Sequence, residues 1–119
     1  MPRIAIIGAS NNPAKYGNKA VRAYLRRGWT VFPVTPREAS VEGIATHPDV
    51  ESIPGSLDRV ALYVPPSVGI ALLPGLLRKG IAEIFVSPGA ESDELLAEGE
   101  RLGLPLVQAC SIVEIGERP

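Results

Sequence analysis

The chain predicts a doubly wound α/β domain, an open parallel sheet of about five strands with helices on both faces. Three observations carry that reading. A helix-like stretch ends three times in a basic residue, then a glycine, then an apolar run: Arg27-Gly28-Trp29, Lys79-Gly80-Ile81 and Arg101-Leu102-Gly103-Leu104. A cation in the last turn suits the helix dipole, and glycine just past the end takes the left-handed conformation that closes the carbonyls. The short runs that follow are apolar throughout rather than alternating, which is the mark of strands buried on both faces. Finally, 119 residues accommodate one such domain and little more, so a single domain over 1–119 is expected.

Strands are expected over 3–7, 30–34, 59–64, 82–86 and 105–107. Between the first two, Ala20, Val21, Tyr24 and Leu25 fall on one stripe with Lys19, Arg22 and Arg26 opposite, which predicts a helix over 18–27. Ser67 opens a second helix that runs to about Lys79, and Pro74-Gly75 predicts a kink or broken turn within it. Ser92 has the chemistry of an N-cap, with Asp93 and Glu94 in the first turn and Leu95, Leu96 and Leu102 facing the core. The stretch 39–57 carries little pattern beyond one helical turn over 49–53. The strand order 3-2-1-4-5 is expected, with the switch point between strands one and four, the latter being the strand that leads into Tyr63.

Twelve Lys and Arg against thirteen Asp and Glu leave a net charge of −1, and no basic block stands out. That balance argues against nucleic acid or an anionic membrane surface as partner. The single cysteine, Cys110, makes no internal disulfide, and with one histidine, His47, there is no cluster at metal-ligand spacing. His47, before Pro48, reads as a helix-entry or surface residue. The uncharged stretch 60–77 is interrupted by Pro65, Pro66, Gly69, Pro74 and Gly75, so it reads as strand, turn and helix rather than a membrane span. The run Ile4-Ala5-Ile6-Ile7 is too short for a secretion signal, and a cytoplasmic location is expected.

In an open α/β sheet a ligand sits beyond the carboxyl ends of the strands. After the first strand comes Gly8-Ala9-Ser10-Asn11-Asn12-Pro13, small and polar and leading into a helix. Backbone N–H groups there suit a phosphate or diphosphate. Ser10 and Pro13 stand where the G-x-G-x-x-G pattern has its second and third glycines, which counts against a dinucleotide. After the second strand, Arg37 stands near the position where an NAD site carries a carboxylate, and it would attract a phosphorylated ribose. Tyr63-Val64-Pro65-Pro66 makes a stiff apolar wall, and Ser87-Pro88-Gly89-Ala90 adds another small-residue turn. Each loop taken alone is also what an ordinary connection looks like.

Together these segments resemble the coenzyme A-binding domain family, the stand-alone relative of the N-terminal domain of the succinyl-CoA synthetase alpha subunit. The resemblance rests on Ile4 to Pro13, Tyr16-Gly17-Asn18-Lys19, Val31 to Arg37 and Tyr63 to Pro66, and continues through Gly43 and the Ser87 loop to Cys110. It implies a Rossmann-like fold and a small nucleotide ligand, CoA or an acyl-CoA. By that likeness Gly8, Ala9 and Ser10, with Tyr16, Gly17 and Lys19, hold the diphosphate side. Val34, Thr35, Pro36 and Arg37 lie near the adenosine phosphate, and Val64, Pro65 and Pro66 lie beside the nucleotide. The family commonly has Asn before the proline and Lys after it at the end of strand two, where this chain has Thr35 and Arg37. Arginine keeps the charge.

The synthetase's phosphorylated histidine belongs to a second domain, so His47 does not inherit its role and no ligase activity follows. Neither Cys110 nor Ser10 has a base beside it in sequence, and no catalysis is expected. Cys110 reads as a small buried thiol, with a mixed disulfide to CoA as the alternative. Two functional readings stand: a binding module for CoA or acyl-CoA serving storage, sensing or delivery, with no protein partner specified, and an NAD(P)-binding enzyme or subunit. A structural module without ligand is the third.

Overall fold

Continuous apolar runs become the strands of a five-stranded parallel sheet in the computed structural model, which describes all 119 residues. In chain order the elements are β1 (Arg3–Ile7), α1 (Tyr16–Arg26), β2 (Thr30–Val34), β3 (Ser40–Val41), β4 (Ile44–Ala45) and β5 (Arg59–Leu62). There follow α2 (Pro66–Lys79), β6 (Ile84–Val86), α3 (Asp93–Arg101), β7 (Leu106–Gln108) and α4 (Ser111–Glu114). The sheet order is β2-β1-β5-β6-β7, and β3 and β4 form a separate antiparallel pair.

That order corrects the expected 3-2-1-4-5. Counting only the five long-range strands it is 2-1-3-4-5, and no strand lies outside β2. The segment after β2 makes the small β3–β4 pair instead, and its return touches the sheet in one parallel bridge between Val34 and His47. The His47 N–H donates to the Pro33 carbonyl (3.0 Å) and its carbonyl accepts from the Thr35 N–H (3.1 Å). The edge of β2 is thereby covered at its carboxyl end without a full strand. The strand leading into Tyr63 does flank β1 at the switch point, as expected, but it is the third strand of the sheet rather than the fourth.

Side chains alternate between two cores. Ala5 and Ile7 of β1, Val60 and Leu62 of β5, and Ile84 and Val86 of β6 pack with Leu73 and Leu76 of α2 and Leu95 of α3. Their neighbours Ile4, Ile6, Ala61 and Phe85 pack with Ala20, Val21 and Tyr24 of α1 and Ile112 of α4. Burial on both faces explains why the strands carry no polar alternation. Gly28, Gly80 and Gly103, the glycines of the three helix stops, all have positive φ (80°, 74° and 71°). Ser92 caps α3 as its sequence predicts, its hydroxyl accepting from the Leu95 N–H at 3.0 Å.

Two expectations fail locally. Helix α2 continues unbroken through Pro74, because Leu73 and Leu76 are fully buried on either side of it and hold the helix to the sheet. Residues 49–53 form turns rather than a helix. The Asp49 side chain accepts from the Ser52 N–H (2.8 Å), offering the backbone a local alternative to a helical turn.

Candidate nucleotide site at the carboxyl edge of the sheet

Gly8 leaves β1 at φ +91°, and a Cβ there would collide with the Tyr63 carbonyl. Its N–H donates to the Val34 carbonyl (3.0 Å), while the Tyr63 N–H donates to the Ile7 carbonyl (2.8 Å). The ends of three strands are thus tied together at one glycine. Gly17 opens α1 so close below that a Cβ on it would strike the Gly8 carbonyl oxygen. Two glycines therefore let the first turn of α1 press against the β1 loop.

The polar residues of the loop hold its shape. Asn18, fully buried, donates to the Ser10 carbonyl (2.8 Å) and to the Glu42 carboxylate (3.0 Å), and accepts from Arg22 (2.7 Å). Asn11 donates to the Ser40 carbonyl (2.7 Å) and accepts from the Glu42 N–H (3.1 Å), fastening the β3–β4 pair beside the loop. The Asn12 side chain accepts from the Ala14 N–H (3.0 Å), and the Ser10 hydroxyl accepts from the Asn12 N–H (3.0 Å). By contrast the N–H groups of Ala9, Ser10, Tyr16 and Gly17 make no hydrogen bond in the protein. Four donors in one concavity at a helix start, with no acidic side chain in the first turn of that helix, form a favourable setting for an anion.

These elements border a cleft of about 1210 Å³ across the carboxyl ends of the strands. Twelve of the residues expected at the site line it: Gly8, Ala9, Ser10, Tyr16, Gly17, Val34, Thr35, Pro36, Arg37, Val64, Pro65 and Pro66. Lys19 does not. It lies one helical turn on, with its ammonium 4.8 Å from the centre of the Tyr16 ring, and Lys15 lines the cleft in its stead. Neither Lys15 nor Arg37 takes part in any ion pair of the molecule. Thr35 is turned to a local task, its hydroxyl accepting from the Arg37 N–H at 3.2 Å.

Sequence reasoning missed the far wall. Pro48, Asp49, Val50 and Glu51 border the cleft opposite Val68, Ala71, Leu72 and Arg78 of α2. Glu51 and Arg78 close this wall with paired bonds of 2.9 and 3.0 Å, and the guanidinium holds the Glu51 carboxyl below its usual range. Nothing periodic marks residues 48–51; the Val34–His47 bridge brings them to the edge. His47 itself stays outside the cleft. It is half-buried with its ring edge-on to Phe32, centroids 6.0 Å apart, rather than on the surface.

Tyr63 and Ser87 stand at the other end, immediately after β5 and β6. The Tyr63 hydroxyl lies 2.8 Å from the Ser111 hydroxyl, and burial pushes its ionisation up to about 12. It is a neutral phenol at any physiological pH. No group of three or more His, Cys, Asp or Glu is placed to hold a metal ion, and no helix is long and apolar enough to cross a membrane.

The profile of the CoA binding domain family matches residues 2–116. Among curated proteins, the chain is similar to the alpha subunit of ADP-forming acetate–CoA ligase II from Pyrococcus furiosus, 34% identical over 106 residues. That stretch covers 88% of this chain and 23% of the ligase subunit, so the chain spans about a quarter of that relative's length. Among solved structures it is similar to a conserved hypothetical protein from Pyrococcus furiosus, with a TM-score of 0.86 and 33% identity over 96% of this chain and 99% of that one. A hypothetical protein from Pyrococcus horikoshii OT3 superimposes with a TM-score of 0.86 at 28% identity, over 93% of this chain and 79% of its own. The glycine-lined β1 loop, the strand order and a profile match over nearly every residue agree: this chain belongs to the CoA binding domain family.

Proposed function

We propose that this chain binds coenzyme A or an acyl-CoA in the cleft without turning it over, and holds it for storage, sensing or delivery. The observation that carries the reading is the convergence on one cleft of four unpaired backbone N–H groups, two in the β1 loop and two at the start of α1, and an uncommitted Arg37. The loop donors suit a diphosphate, and Arg37 suits the ribose 3′-phosphate that distinguishes CoA from ADP. The stiff Val64-Pro65-Pro66 wall suits the flat adenine or the apolar arm. Support for binding without turnover comes from the lining itself, which includes no histidine. The Ser10 hydroxyl is engaged with a backbone N–H rather than a base.

One observation favours a second reading, in which the chain supplies the CoA subsite to a larger ligase: its similarity to a ligase alpha subunit. The NAD(P) reading has no such support, since the loop lacks the second and third glycines of that fingerprint.

Calorimetric titration of the ligand-stripped protein with CoA, dephospho-CoA, NADH, NADPH and ATP tests the reading. CoA is expected to bind selectively. Arg37→Glu is expected to weaken CoA by about tenfold or more and dephospho-CoA far less, since a charge-assisted bond contributes about 1.5–3 kcal/mol. Equal losses for the two ligands would remove Arg37 from the ribose phosphate. NADPH binding without CoA binding would overturn the function, and acetyl-CoA turnover by the chain alone would overturn the non-catalytic part.

A further inference from the structure

We propose that Cys110 forms a mixed disulfide with coenzyme A, by exchange with coenzyme A disulfide bound along the cleft; this rests on the CoA reading above. The sheet order carries the direction. Arg37 follows β2, Gly8 follows β1, Pro65 follows β5, Ser87 follows β6 and Cys110 follows β7. Neighbouring strands lie about 4.8 Å apart, so these five ends form one row. CoA is a linear molecule, with the ribose phosphate, the diphosphate and then a flexible arm that ends in sulfur. With the ribose phosphate at Arg37 and the diphosphate over Gly8 and Gly17, the arm runs on past β5, and its sulfur comes out at the ends of β6 and β7.

A second cavity, of about 340 Å³, lies at that end. It shares Tyr16, Tyr63, Ser87 and Pro88 with the main cleft and continues to Cys110 and Val113. Cys110 is only partly buried, so the reading of it as an enclosed small thiol does not hold. A second observation marks the passage. Ser87, on the wall common to both cavities, is 2% exposed, and its hydroxyl, beside the Tyr63 phenol, has no hydrogen-bond partner within 3.5 Å. A buried hydroxyl left unpaired is unfavourable, and a polar atom of a ligand lying in the passage would satisfy it. Val113 is 58% exposed, so the cavity's outer side reaches solvent and a leaving group has a way out.

The oxidant is the CoA disulfide itself, one half of which is reduced to free CoA thiol. The Cys110 thiolate attacks one sulfur of the CoA disulfide, a new bond forms between Cys110 Sγ and that sulfur, and the original S–S bond breaks. The bond's electron pair leaves with the second CoA as a thiolate, which takes up the proton given up by Cys110. One disulfide is consumed and one is formed.

The reduced protein is incubated with CoA disulfide or with glutathione disulfide at equal concentration and followed by intact mass, while CoA affinity is measured on the same preparation. As the chain's only cysteine, Cys110 is the only thiol an adduct can use. The expected result is an adduct of one CoA formed about tenfold or more faster than the glutathione adduct, an advantage that binding in the cleft confers. Arg37→Glu is expected to shrink the advantage. Equal rates, or no CoA adduct, in a protein that binds CoA would overturn the inference and leave the binding function standing. Failure to bind CoA at all would overturn both.

Discussion

Tyr63 joins the cleft to the second cavity, and its protonation makes a measurable demand on the fold. Its ionisation lies near 12 in the folded protein because burial disfavours the phenolate, against about 10 in an unfolded chain. Between those values the unfolded chain binds fewer protons than the folded one, so stability falls as pH rises. Below pH 10 the contribution is fully present, and it is lost as pH climbs toward 12. Tyr24 is pushed the same way, again chiefly by burial. Tyr63→Phe should therefore flatten part of the alkaline fall in melting temperature; a wild-type slope in that variant would show that Tyr63 does not contribute. The apolar run 59–64 announces a buried strand, but the hydroxyl's partner, Ser111 of α4, lies forty-eight positions away. Gly8 was legible as a loop glycine, whereas the need for Gly17 was not, because its crowding partner is the Gly8 carbonyl.

Elements whose signals are local were read correctly. Ser92 caps α3 through its own side chain, and Ser92→Ala is expected to cost about 1 kcal/mol, seen as a lower denaturation midpoint with an unchanged slope. A loss under a few tenths would show that the helix is held by Leu95 packing alone. Helix α2 gave the opposite lesson. Pro74 removes a donor from its interior, but the buried Leu73 and Leu76 outweigh the lost bond. Residues 39–57 were the least legible stretch, since β3 and β4 are two residues each and too short for periodicity to register. What holds that stretch is distant: Asn11 to Ser40 and Glu42, and Val34 to His47.

For the molecule as a unit, the cleft is made from loops after β1, β2, β5 and β6 together with the 48–51 turn and α2, and none of these survives alone. A ligand that binds only the assembled edge must stabilise the whole fold. At a CoA concentration one hundred times the dissociation constant the gain is about 2.7 kcal/mol, which should raise the melting temperature by several degrees. Dephospho-CoA at the same concentration should raise it less, and no shift with CoA at saturation would count against binding to the native cleft.

Residue order along the chain was enough for the class of fold, the five strands of the main sheet, three of the four helices and the strand-end segments that supply twelve of the expected residues to the cleft. Those features are written in apolar runs, helix stops and loop composition, which act over a few neighbours and need no knowledge of the rest. Strand order was only partly written there. The pairing of β1 with the strand that leads into Tyr63 was expected, but β2 stands at the edge with no strand outside it, because residues 39–57 make only the short β3–β4 pair and one bridge to the sheet. Tertiary packing brought 48–51 and α2 to the cleft, carried Lys19 away from it, and put Cys110 at the far end of the row from Arg37. Local propensity is short-ranged, and a site on a sheet edge is an intersection of distant segments that only closure of both cores brings together.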